Sequence, residues 1–520
     1  MPSSDPILVI GGGVNGLACA TRLAQAGRSV TLIEAATEPG GAATGWDFAP
    51  GFRSPGLAHL AFLLDPRVVA GMELENHGLR FADAAMASVA LSAGGDHLTL
   101  AGAYGETLAG EGISAQDRLA WADLRARLMR FAAVLAPFRA MVPPRLAGRG
   151  SGNEWTRLAR IGFDLRRLGR AEFREFLRLI LINIWDVLED DLEDDRLKGL
   201  VAFDATLGHW LGPRSPNSLI LLLNRLAGEN SGRQGALGFP EGGMAAVARA
   251  MTGAAKAAGV TIHAGARGTR IIVENDCATG VQMESGEVLA AARVVSALNP
   301  KTTLLDLLGV RHLDTGMAHA LRHQKSRGAA ARLNLALSGL PDLRGADPRA
   351  RLVIAPSATA VDMAFNPVKY GEVPEHPVME VIFPSAHGPG FAPKGQHSLS
   401  AIVQFAPHDP KAGQDAARAA MLENSLAVLE AHLPGIRDLV SHAEMLMPCD
   451  IAARFGMPDS HHGELSVEQM LFLRPVPGLS QYETPVAGLW LAGAGSHPGG
   501  GISGASGWNA AERILKGGRE

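Results

Sequence analysis

The beginning of the chain places an apolar strand, a glycine-rich turn, a helix and a second strand in immediate succession. Residues 7–10 (ILVI) are typical of a buried parallel strand, and residues 11–16 (GGGVNG) satisfy the pattern G-x-G-x-x-G. Residues 17–27 are small and apolar, which predicts a helix, and residues 29–33 (SVTLI) predict a strand that ends at Glu34. This order predicts an α/β fold with a parallel sheet and a dinucleotide site.

The residues of this unit have separate physical roles in binding a nucleotide. Gly11 permits the tight turn, Gly13 lets the backbone approach a pyrophosphate, and Gly16 lets the helix pack closely on the strand. The helix N-terminus directs N–H groups at the phosphates, and Glu34 accepts hydrogen bonds from the adenosine ribose. A structural turn is the alternative, because the chain has 62 glycines among 520 residues. The predicted cofactor contacts of the unit are Gly11, Gly13, Val14, Asn15, Gly16, Glu34 and Ala35.

A second glycine pair follows the acidic residue and distinguishes between FAD and NAD as the predicted cofactor. Gly40 and Gly41, followed by Ala42 and Ala43, stand where FAD oxidases bring the chain close to the flavin pyrophosphate. The pattern favours FAD, and we add these four residues to the predicted cofactor contacts.

The end of the chain contains another glycine turn between a strand and a helix. Residues 488–495 (GLWLAGAG) predict a buried strand that runs into the turn, and residues 493–504 include six glycines. A helix is expected to begin near Ala505, which creates a second anion-binding arrangement. No strand and acidic residue follow it, so a second nucleotide site is not predicted.

With these motifs, three parts of the chain resemble the phytoene-desaturase-like flavoproteins, and within them the branch called pyridine nucleotide-disulfide oxidoreductase domain-containing protein 2. The first part spans residues 9–81 and includes IEAATEPGGAATGWDFAPGFRSPGLAHL and LENHGLRF. The middle part runs from FPEGGM to VVSALNP, and the last is GLWLAGAGSHPGGGISGASGWNAA. Many relatives have arginine where Ala42 stands, so this chain lacks a charged flavin contact that amine oxidases typically use.

The resemblance implies further cofactor contacts and a three-segment domain. Gly493 and Ala494 would approach the ribityl phosphate, Gly501 and Ile502 the isoalloxazine ring, and the backbone near Gly268 the adenine. The implied fold is a Rossmann-like FAD-binding domain of the glutathione-reductase/amine-oxidase type, assembled from residues 1–75, 232–305 and 440–520. Residues 76–231 and 306–439 would then form an interleaved α+β substrate domain.

Inside the substrate domain the spacing of apolar residues predicts several elements. Helices are expected over residues 118–138, 171–188 and 415–433, and strands over residues 331–337 and 378–383.

Composition excludes several classes of protein. Lys and Arg number 48 against 52 Asp and Glu, so the net charge of −4 gives no electrostatic reason to expect nucleic acid. Cys19, Cys277 and Cys449 stand alone, which predicts neither a disulfide framework nor the cysteine pair of a disulfide reductase. These cysteines and the lack of a targeting pattern at the N-terminus predict a cytoplasmic protein.

Two neighbouring segments are compatible with contact to a membrane surface. Residues 145–170 are rich in arginine, and residues 176–188 are largely apolar but carry charges that argue against a membrane span. A solvated basic face is the alternative interpretation.

Few side chains qualify as acid or base. His497, inside the C-terminal glycine segment, is the candidate for a catalytic residue, and the alternative is a backbone hydrogen bond in a crowded turn. His461 and His462 have no defined third ligand, so no metal site is predicted. Asp204 and His209 either line the substrate cavity or belong to a satisfied core network.

Three functional hypotheses follow. The first is an FAD enzyme that dehydrogenates or isomerises C–C bonds of a hydrophobic, lipid-like or polyene substrate and passes electrons to oxygen or a quinone. This hypothesis depends on the resemblance, since the residues alone predict only a flavoprotein oxidoreductase. The second is an oxidase of amines or other polar small molecules, which Ala42 disfavours. The third is a protein in which FAD is structural and nothing is turned over.

Overall fold

The computed structural model describes residues 3–144, 156, 159–160, 162–163, 166–167 and 169–517. Most of the arginine-rich segment 145–170 lies outside these residues. The strands are β1 (Ser3–Ile10), β2 (Arg28–Glu34), β3 (Asp47–Ala49), β4 (Phe52–Arg53), β5 (Phe81–Asp83), β6 (Ser88–Ala90), β7 (Leu98–Ala101), β8 (Thr107–Gly110), β9 (Glu229–Asn230), β10 (Arg233–Gln234), β11 (Phe239–Pro240), β12 (Thr261–Ala264), β13 (Gly268–Glu274), β14 (Cys277–Met283), β15 (Val288–Ala290), β16 (Arg293–Ser296), β17 (Ala330–Leu337), β18 (Arg351–Ile354), β19 (Val378–Ile382), β20 (His397–Gln404), β21 (Val440–Leu446) and β22 (Leu489–Leu491). The α-helices are α1 (Val14–Gln25), α2 (Pro66–Gly71), α3 (Ala115–Arg139), α4 (Arg170–Leu181), α5 (Ile184–Asp191), α6 (Asp195–Thr206), α7 (Ser218–Leu226), α8 (Met244–Ala257), α9 (Thr315–His323), α10 (Ala358–Phe365), α11 (Gln414–His432), α12 (Ile436–Leu439), α13 (Pro448–Phe455) and α14 (Ala505–Leu515).

A five-stranded parallel sheet, in the order β12-β2-β1-β16-β22, carries the glycine turn. Its central strand β1 has parallel neighbours on both sides, which explains the uninterrupted apolar run at residues 7–10. Helices α1, α8 and α14 share one apolar core with this sheet, including Leu17, Met251 and Ala511. The parallel α/β sheet predicted from the first motif is therefore confirmed.

The strands of this sheet come from three distant stretches of the chain. Strands β1 and β2 lie in the first stretch, β12 and β16 in the middle, and β22 near the end. A three-stranded antiparallel sheet, β13-β14-β15, is inserted between β12 and β16.

An eight-stranded mixed sheet, in the order β21-β17-β20-β19-β18-β6-β7-β8, is the second main element of the fold. One face of its central strands is apolar and shares a core with α11, to which Leu333, Val381, Ala401 and Met421 contribute. Residues at the alternate positions face the other way, and several of them are polar and buried. That polar face takes part in the site described below.

Helices α3 to α7 share a separate apolar core, to which Leu128, Phe176, Leu188 and Leu222 contribute. The single helix predicted over residues 171–188 is wrong, because the structure divides it into α4 and α5. Ile182 is extended, and the side chain of Asn183 accepts a hydrogen bond from the backbone N–H of Asp186, so a new helix begins there. The helical spacing of apolar residues continues across this break, so the spacing alone does not reveal where α4 ends and α5 begins.

The predicted segment boundary at residue 440 lies just ahead of a strand of the larger sheet. Strand β21 pairs with β17, with Leu333 opposite Met445 and Asn334 opposite Glu444. Residues 440–446 therefore belong by hydrogen bonding to the eight-stranded sheet and not to the five-stranded one.

Candidate functional site

One large cavity of about 1110 Å³ is lined by residues from both main sheets. Its wall includes Gly13 and Glu34 beside the parallel sheet, and Arg332 and Glu380 of the eight-stranded sheet. The volume exceeds the roughly 300–1,000 Å³ of a typical small-molecule pocket. It is large enough for a dinucleotide together with a second molecule.

The glycine turn leaves the cavity open where a phosphate would lie. Gly11 has φ +95°, and a Cβ there would lie 2.9 Å from a methyl carbon of Leu298. A Cβ on Gly16 would lie 1.9 Å from the carbonyl oxygen of Gly11, so this glycine permits close packing of the turn and helix. A Cβ on Gly13 would meet no atom within 4 Å. Gly13 therefore leaves space at the N-terminus of α1, as a pyrophosphate requires.

Glu34 lies at the end of β2 and is anchored by two backbone donors. Its Oε2 accepts a hydrogen bond from the N–H of Gly12 at 2.6 Å, and its Oε1 accepts one from the N–H of Ala36 at 2.8 Å. These bonds fix the carboxylate on the cavity wall, where Ala35 and Gly268 also lie. A carboxylate oxygen accepts more than one hydrogen bond, so a ribose hydroxyl can still bind.

The second glycine pair packs directly on the first turn. The N–H of Gly40 donates to the carbonyl oxygen of Gly12 at 2.8 Å, and a Cβ on Gly41 would lie 3.2 Å from the Cα of Gly13. Gly40 has φ +144° and Gly41 φ +55°, which favours glycine at both positions. The two motifs therefore form one continuous backbone surface on the cavity.

Most of the predicted cofactor contacts lie on the cavity wall. These are Gly11, Gly13, Val14, Asn15, Glu34, Ala35, Gly40, Gly41, Ala42, Gly268, Ala494, Gly501 and Ile502. Gly16, Ala43 and Gly493 lie behind the wall. A Cβ on Gly493 would lie 2.5 Å from the carbonyl oxygens of Ala297 and Leu298, so its position is fixed by backbone packing. The open space at Gly13, the carboxylate of Glu34 and the glycine surface fit FAD.

His497 does not lie on the cavity wall. Its Nε2 donates to the carbonyl oxygen of Phe138 at 2.7 Å, and the side chain is buried. Burial lowers the pKa of His497 to about 3, so the ring is neutral at physiological pH. The structure places the ring in a backbone hydrogen bond, which was the alternative interpretation from the sequence.

A buried group of charged side chains, which we call the charged network, extends from α6 and α7 across the polar face of the larger sheet. Asp204 of α6 forms ion pairs with Arg225 of α7 and, at 2.6 Å, with Nη2 of Arg351 in β18. Nε of Arg351 donates to Oε2 of Glu380 in β19 at 2.5 Å. Burial alone would raise the pKa of Glu380, but the charge of Arg351 outweighs it and holds that pKa far below its usual range. The network consists of His59, Asp204, Arg225, Arg332, Arg351 and Glu380.

His59 connects Glu380 with Arg332 and is held neutral by its surroundings. Its Nδ1 lies 2.8 Å from Nη1 of Arg332, and its Nε2 lies 2.7 Å from Oε1 of Glu380. Since a guanidinium can only donate, Nδ1 is the acceptor and the ring proton lies on Nε2. Burial, followed by the charge of Arg332, lowers the pKa of His59 to about 4. With both nitrogens engaged, His59 is a poor acid or base for a bound molecule.

Sequence reasoning found only Asp204 of this network, and the structure places it behind the cavity wall. Polar residues at alternate positions of an apolar strand, such as Arg332 and Asn334, are typical of a strand face that is exposed to solvent. In this fold the polar face of the strand is buried as well, so the same pattern marks a buried polar wall. The signal available in the sequence was arginine at such positions, since a long cation beside apolar strands needs a partner when buried.

His461 is brought together with His209 and Glu464 in a compact group. One ligand atom from each lies within 4.8 Å of the others, and Nδ1 of His209 is 3.1 Å from Oε1 of Glu464. The sequence offered His461 and His462 without a third partner, and the fold instead groups His461 with His209 and Glu464, without His462. The same carboxylate oxygen also accepts from the N–H of Trp210 at 3.2 Å, so hydrogen bonding accounts for its position.

The three cysteines are free, as their isolation in the sequence predicts. Cys19 is buried in α1, and burial raises the pKa of its thiol to about 12, so it is unreactive. Among the described residues, no helix is both long and apolar enough to cross a membrane.

The chain is similar over nearly its full length to curated proteins. It is 28% identical to the rat (Rattus norvegicus) protein called pyridine nucleotide-disulfide oxidoreductase domain-containing protein 2, covering 99% of this chain and 94% of that protein. It is also 28% identical to hydroxyneurosporene desaturase of Cereibacter sphaeroides, covering 98% of this chain and 97% of the relative.

Solved structures share the fold at lower identity. Putrescine oxidase bound to putrescine matches with a TM-score of 0.59 and 18% identity, covering 98% of this chain and 99% of that one. Residues 6–513 match the family described as FAD dependent oxidoreductase, which spans almost the whole sequence. The open glycine turn and the Glu34 carboxylate on the cavity wall agree with this match, and the chain belongs to the FAD-dependent oxidoreductase family.

Proposed function

We propose that this oxidoreductase dehydrogenates or isomerises C–C bonds of a hydrophobic, lipid-like or polyene substrate. The observation that carries the proposal is the cavity that joins the nucleotide-binding turn to the eight-stranded sheet. The similarity to hydroxyneurosporene desaturase supports a substrate of this class.

Besides the glycine turns, many apolar side chains line the cavity. Leu60, Phe62, Leu207, Leu237, Ile402, Ile451 and Met457 all contribute to it. Burying a hydrocarbon chain against such a wall contributes roughly 25 cal/mol per Å² of apolar surface removed from water. The wall therefore binds and orients an apolar chain while it excludes water.

The chemistry divides between cofactor and protein. FAD, when bound, accepts a hydride or single electrons from a substrate C–H bond. The glycine turns, Glu34 and the N-terminus of α1 hold the cofactor. On the protein side, His59 is not available as a base, because both of its ring nitrogens already have partners. An arrangement that orients a chain without a strong base suits dehydrogenation of C–C bonds.

Oxidation of an amine is the second candidate, favoured by the structural similarity to putrescine oxidase. Ala42 stands on the cavity wall without the charged contact that amine oxidases typically use. The wall also carries Arg225 and Arg332, which repel a protonated amine. These residues favour the first candidate.

We propose oxygen or a quinone as electron acceptor and a cytoplasmic location with peripheral membrane contact. Helix α4 supports the contact, since Leu177 and Leu181 are 41% and 57% exposed beside the exposed Arg174. Exposed apolar residues flanked by arginine suit the surface of a bilayer, from which a lipid-like substrate is taken.

Anaerobic reduction of the bound flavin tests the proposal. We expect long-chain apolar compounds to bleach the visible flavin absorbance and to yield products that have lost two hydrogens per flavin reduced, or rearranged isomers. Putrescine serves as the comparison substrate. Reduction by putrescine and not by any apolar compound would assign the protein to the amine class instead.

A further inference from the structure

The charged network has a positive charge that no side chain in it balances. Within the network, the guanidinium groups of Arg225, Arg332 and Arg351 are accompanied by two carboxylates, Asp204 and Glu380, and neutral His59 adds no charge. Three cations against two anions leave one positive charge. The network is buried, so water screens this charge poorly.

One further carboxylate, Glu444, raises the pKa of Arg332 by its charge, but it has its own counter-ion. Glu444 of β21 receives hydrogen bonds from Nδ2 of Asn334 at 2.9 Å and from Nε1 of Trp46 at 2.8 Å. It also forms an ion pair with Arg454 at 3.1 Å. Counted together with Glu444 and Arg454, the described residues of the network still carry one excess positive charge.

Arg332 uses only part of its hydrogen-bonding capacity. It is 1% exposed and lies on the cavity wall. Of its five N–H groups, one on Nη1 donates to His59 and one on Nη2 donates to Ser400, while Nε has no partner among the described residues. Burial lowers the pKa of Arg332 to about 9, which still leaves it protonated at neutral pH. A buried cation with spare donors beside a cavity is costly unless an anion binds there.

We infer that the substrate carries an anionic head group of the carboxylate type, bound at Arg332 while its apolar chain lies along the cavity. The inference rests on the proposed function, since it adds a head group to the lipid-like substrate class. A carboxylate matches the planar guanidinium and supplies the missing negative charge. His59, itself bonded to Glu380, holds Arg332 in place, so the site is rigid before the substrate arrives.

The experiment compares molecules of one chain length that differ only in the head group. Decanoate, 1-decanol and decylamine are titrated into the FAD-loaded protein by calorimetry. A charge-assisted hydrogen bond contributes about 1.5–3 kcal/mol, so decanoate should bind roughly 10- to 100-fold more tightly than decanol. Decylamine should bind more weakly than decanol.

Three variants locate the effect. Arg332→Met should abolish the preference for decanoate over decanol while FAD content stays unchanged. Arg349→Met, an exposed arginine outside the cavity wall, should keep the full preference. Arg332→Lys retains the charge without the guanidinium plane and should keep a reduced preference. If Arg332→Met fails to fold, the wild-type comparison and the lysine variant still decide.

Equal binding of decanoate and decanol by the wild-type protein would overturn the inference, as would a preference that survives in Arg332→Met. If the wild-type protein binds decanoate and decanol equally and Arg332→Met also lowers the flavin reduction potential, the positive charge of Arg332 would be assigned to the reduced cofactor instead of a substrate head group. These binding results do not depend on turnover. If no apolar compound reduces the flavin while the head-group preference stands, the proposed reaction fails and the anion site remains.

Discussion

At the scale of single residues, a change at Gly13 allows cofactor binding to be tested independently of folding. Its φ of −64° is open to any residue, and a side chain there would project into empty space. We expect Gly13→Leu to fold but to purify without FAD, because the added side chain occupies the place of the pyrophosphate. FAD content per chain after release from the protein is the measurement.

Gly388→Leu is the matched control for this change. A Cβ on Gly388 would likewise meet no atom within 4 Å, and this glycine lies outside the cavity wall. The control should retain wild-type FAD content. Full FAD occupancy in Gly13→Leu would contradict the assignment of the pyrophosphate to this turn.

Buried histidines make the protein sensitive to acid. Burial lowers the pKa values of His59 and His462 to about 4 and that of His497 to about 3. In the unfolded chain these groups take up protons below about pH 6.5, whereas the folded protein resists protonation. The unfolded state binds more protons in this range, so stability falls as the pH falls.

Each such histidine contributes about 1.4 kcal/mol of lost stability per pH unit between its unfolded and folded pKa values. We expect His497→Gln to reduce the slope of unfolding free energy against pH by that amount between about pH 6 and about pH 4. Denaturant titrations across this range measure it, with the exposed His376→Gln as control. An unchanged slope in His497→Gln would show that this ring is not held neutral by burial.

At the scale of elements, the two faces of strand β17 have different roles. One face contributes to the apolar core, and we expect the other to bind the ligand. Leu333 is fully buried in the core shared with α11, whereas Arg332 lies on the cavity wall. We expect Leu333→Ala to lower the free energy of unfolding by about 2–5 kcal/mol through the cavity it leaves, without changing the preference for decanoate. Denaturant unfolding and calorimetry measure the two effects.

Leu340→Ala, at a position 40% exposed, is the control and should change stability by less than about 0.5 kcal/mol. If Leu333→Ala instead removed the head-group preference at unchanged stability, the division of roles between the two faces would be wrong.

The N-terminal unit and the polar face of β17 differ in how far the sequence alone predicts them. The unit from β1 to Glu34 was predictable because its strands, turn and acidic residue are adjacent in sequence and each has a local signal. The polar face of the larger sheet was not, because burial of Arg332 depends on elements far away in the chain, including His59, 273 residues earlier. Helices α4 and α5 were merged for a similar reason, since apolar spacing continues past the local cap at Asn183.

At the scale of the whole molecule, helix α4 is our candidate for a membrane-contacting surface. Leu177 and Leu181 are exposed on it, although the neighbouring segment 145–155 lies outside the described residues. We expect the protein to co-sediment with vesicles that contain anionic lipid, and the double variant Leu177→Asp with Leu181→Asp to remain in the supernatant.

The double variant Val310→Asp with Leu340→Asp changes two exposed apolar residues elsewhere and should sediment like wild type. If all three proteins sedimented equally, the membrane contact would have to be assigned to a surface other than α4. Indifference of the wild-type protein to anionic vesicles would exclude the contact itself.

We also propose that one cavity of the molecule, which joins the glycine turn of α1 to a largely apolar wall that carries Arg332, holds both FAD and the substrate. The most direct test of this proposal is the absorbance spectrum of the purified protein, followed by identification of the cofactor released on denaturation. We expect a flavin spectrum and one FAD per chain. A colourless protein that cannot take up added FAD would contradict it.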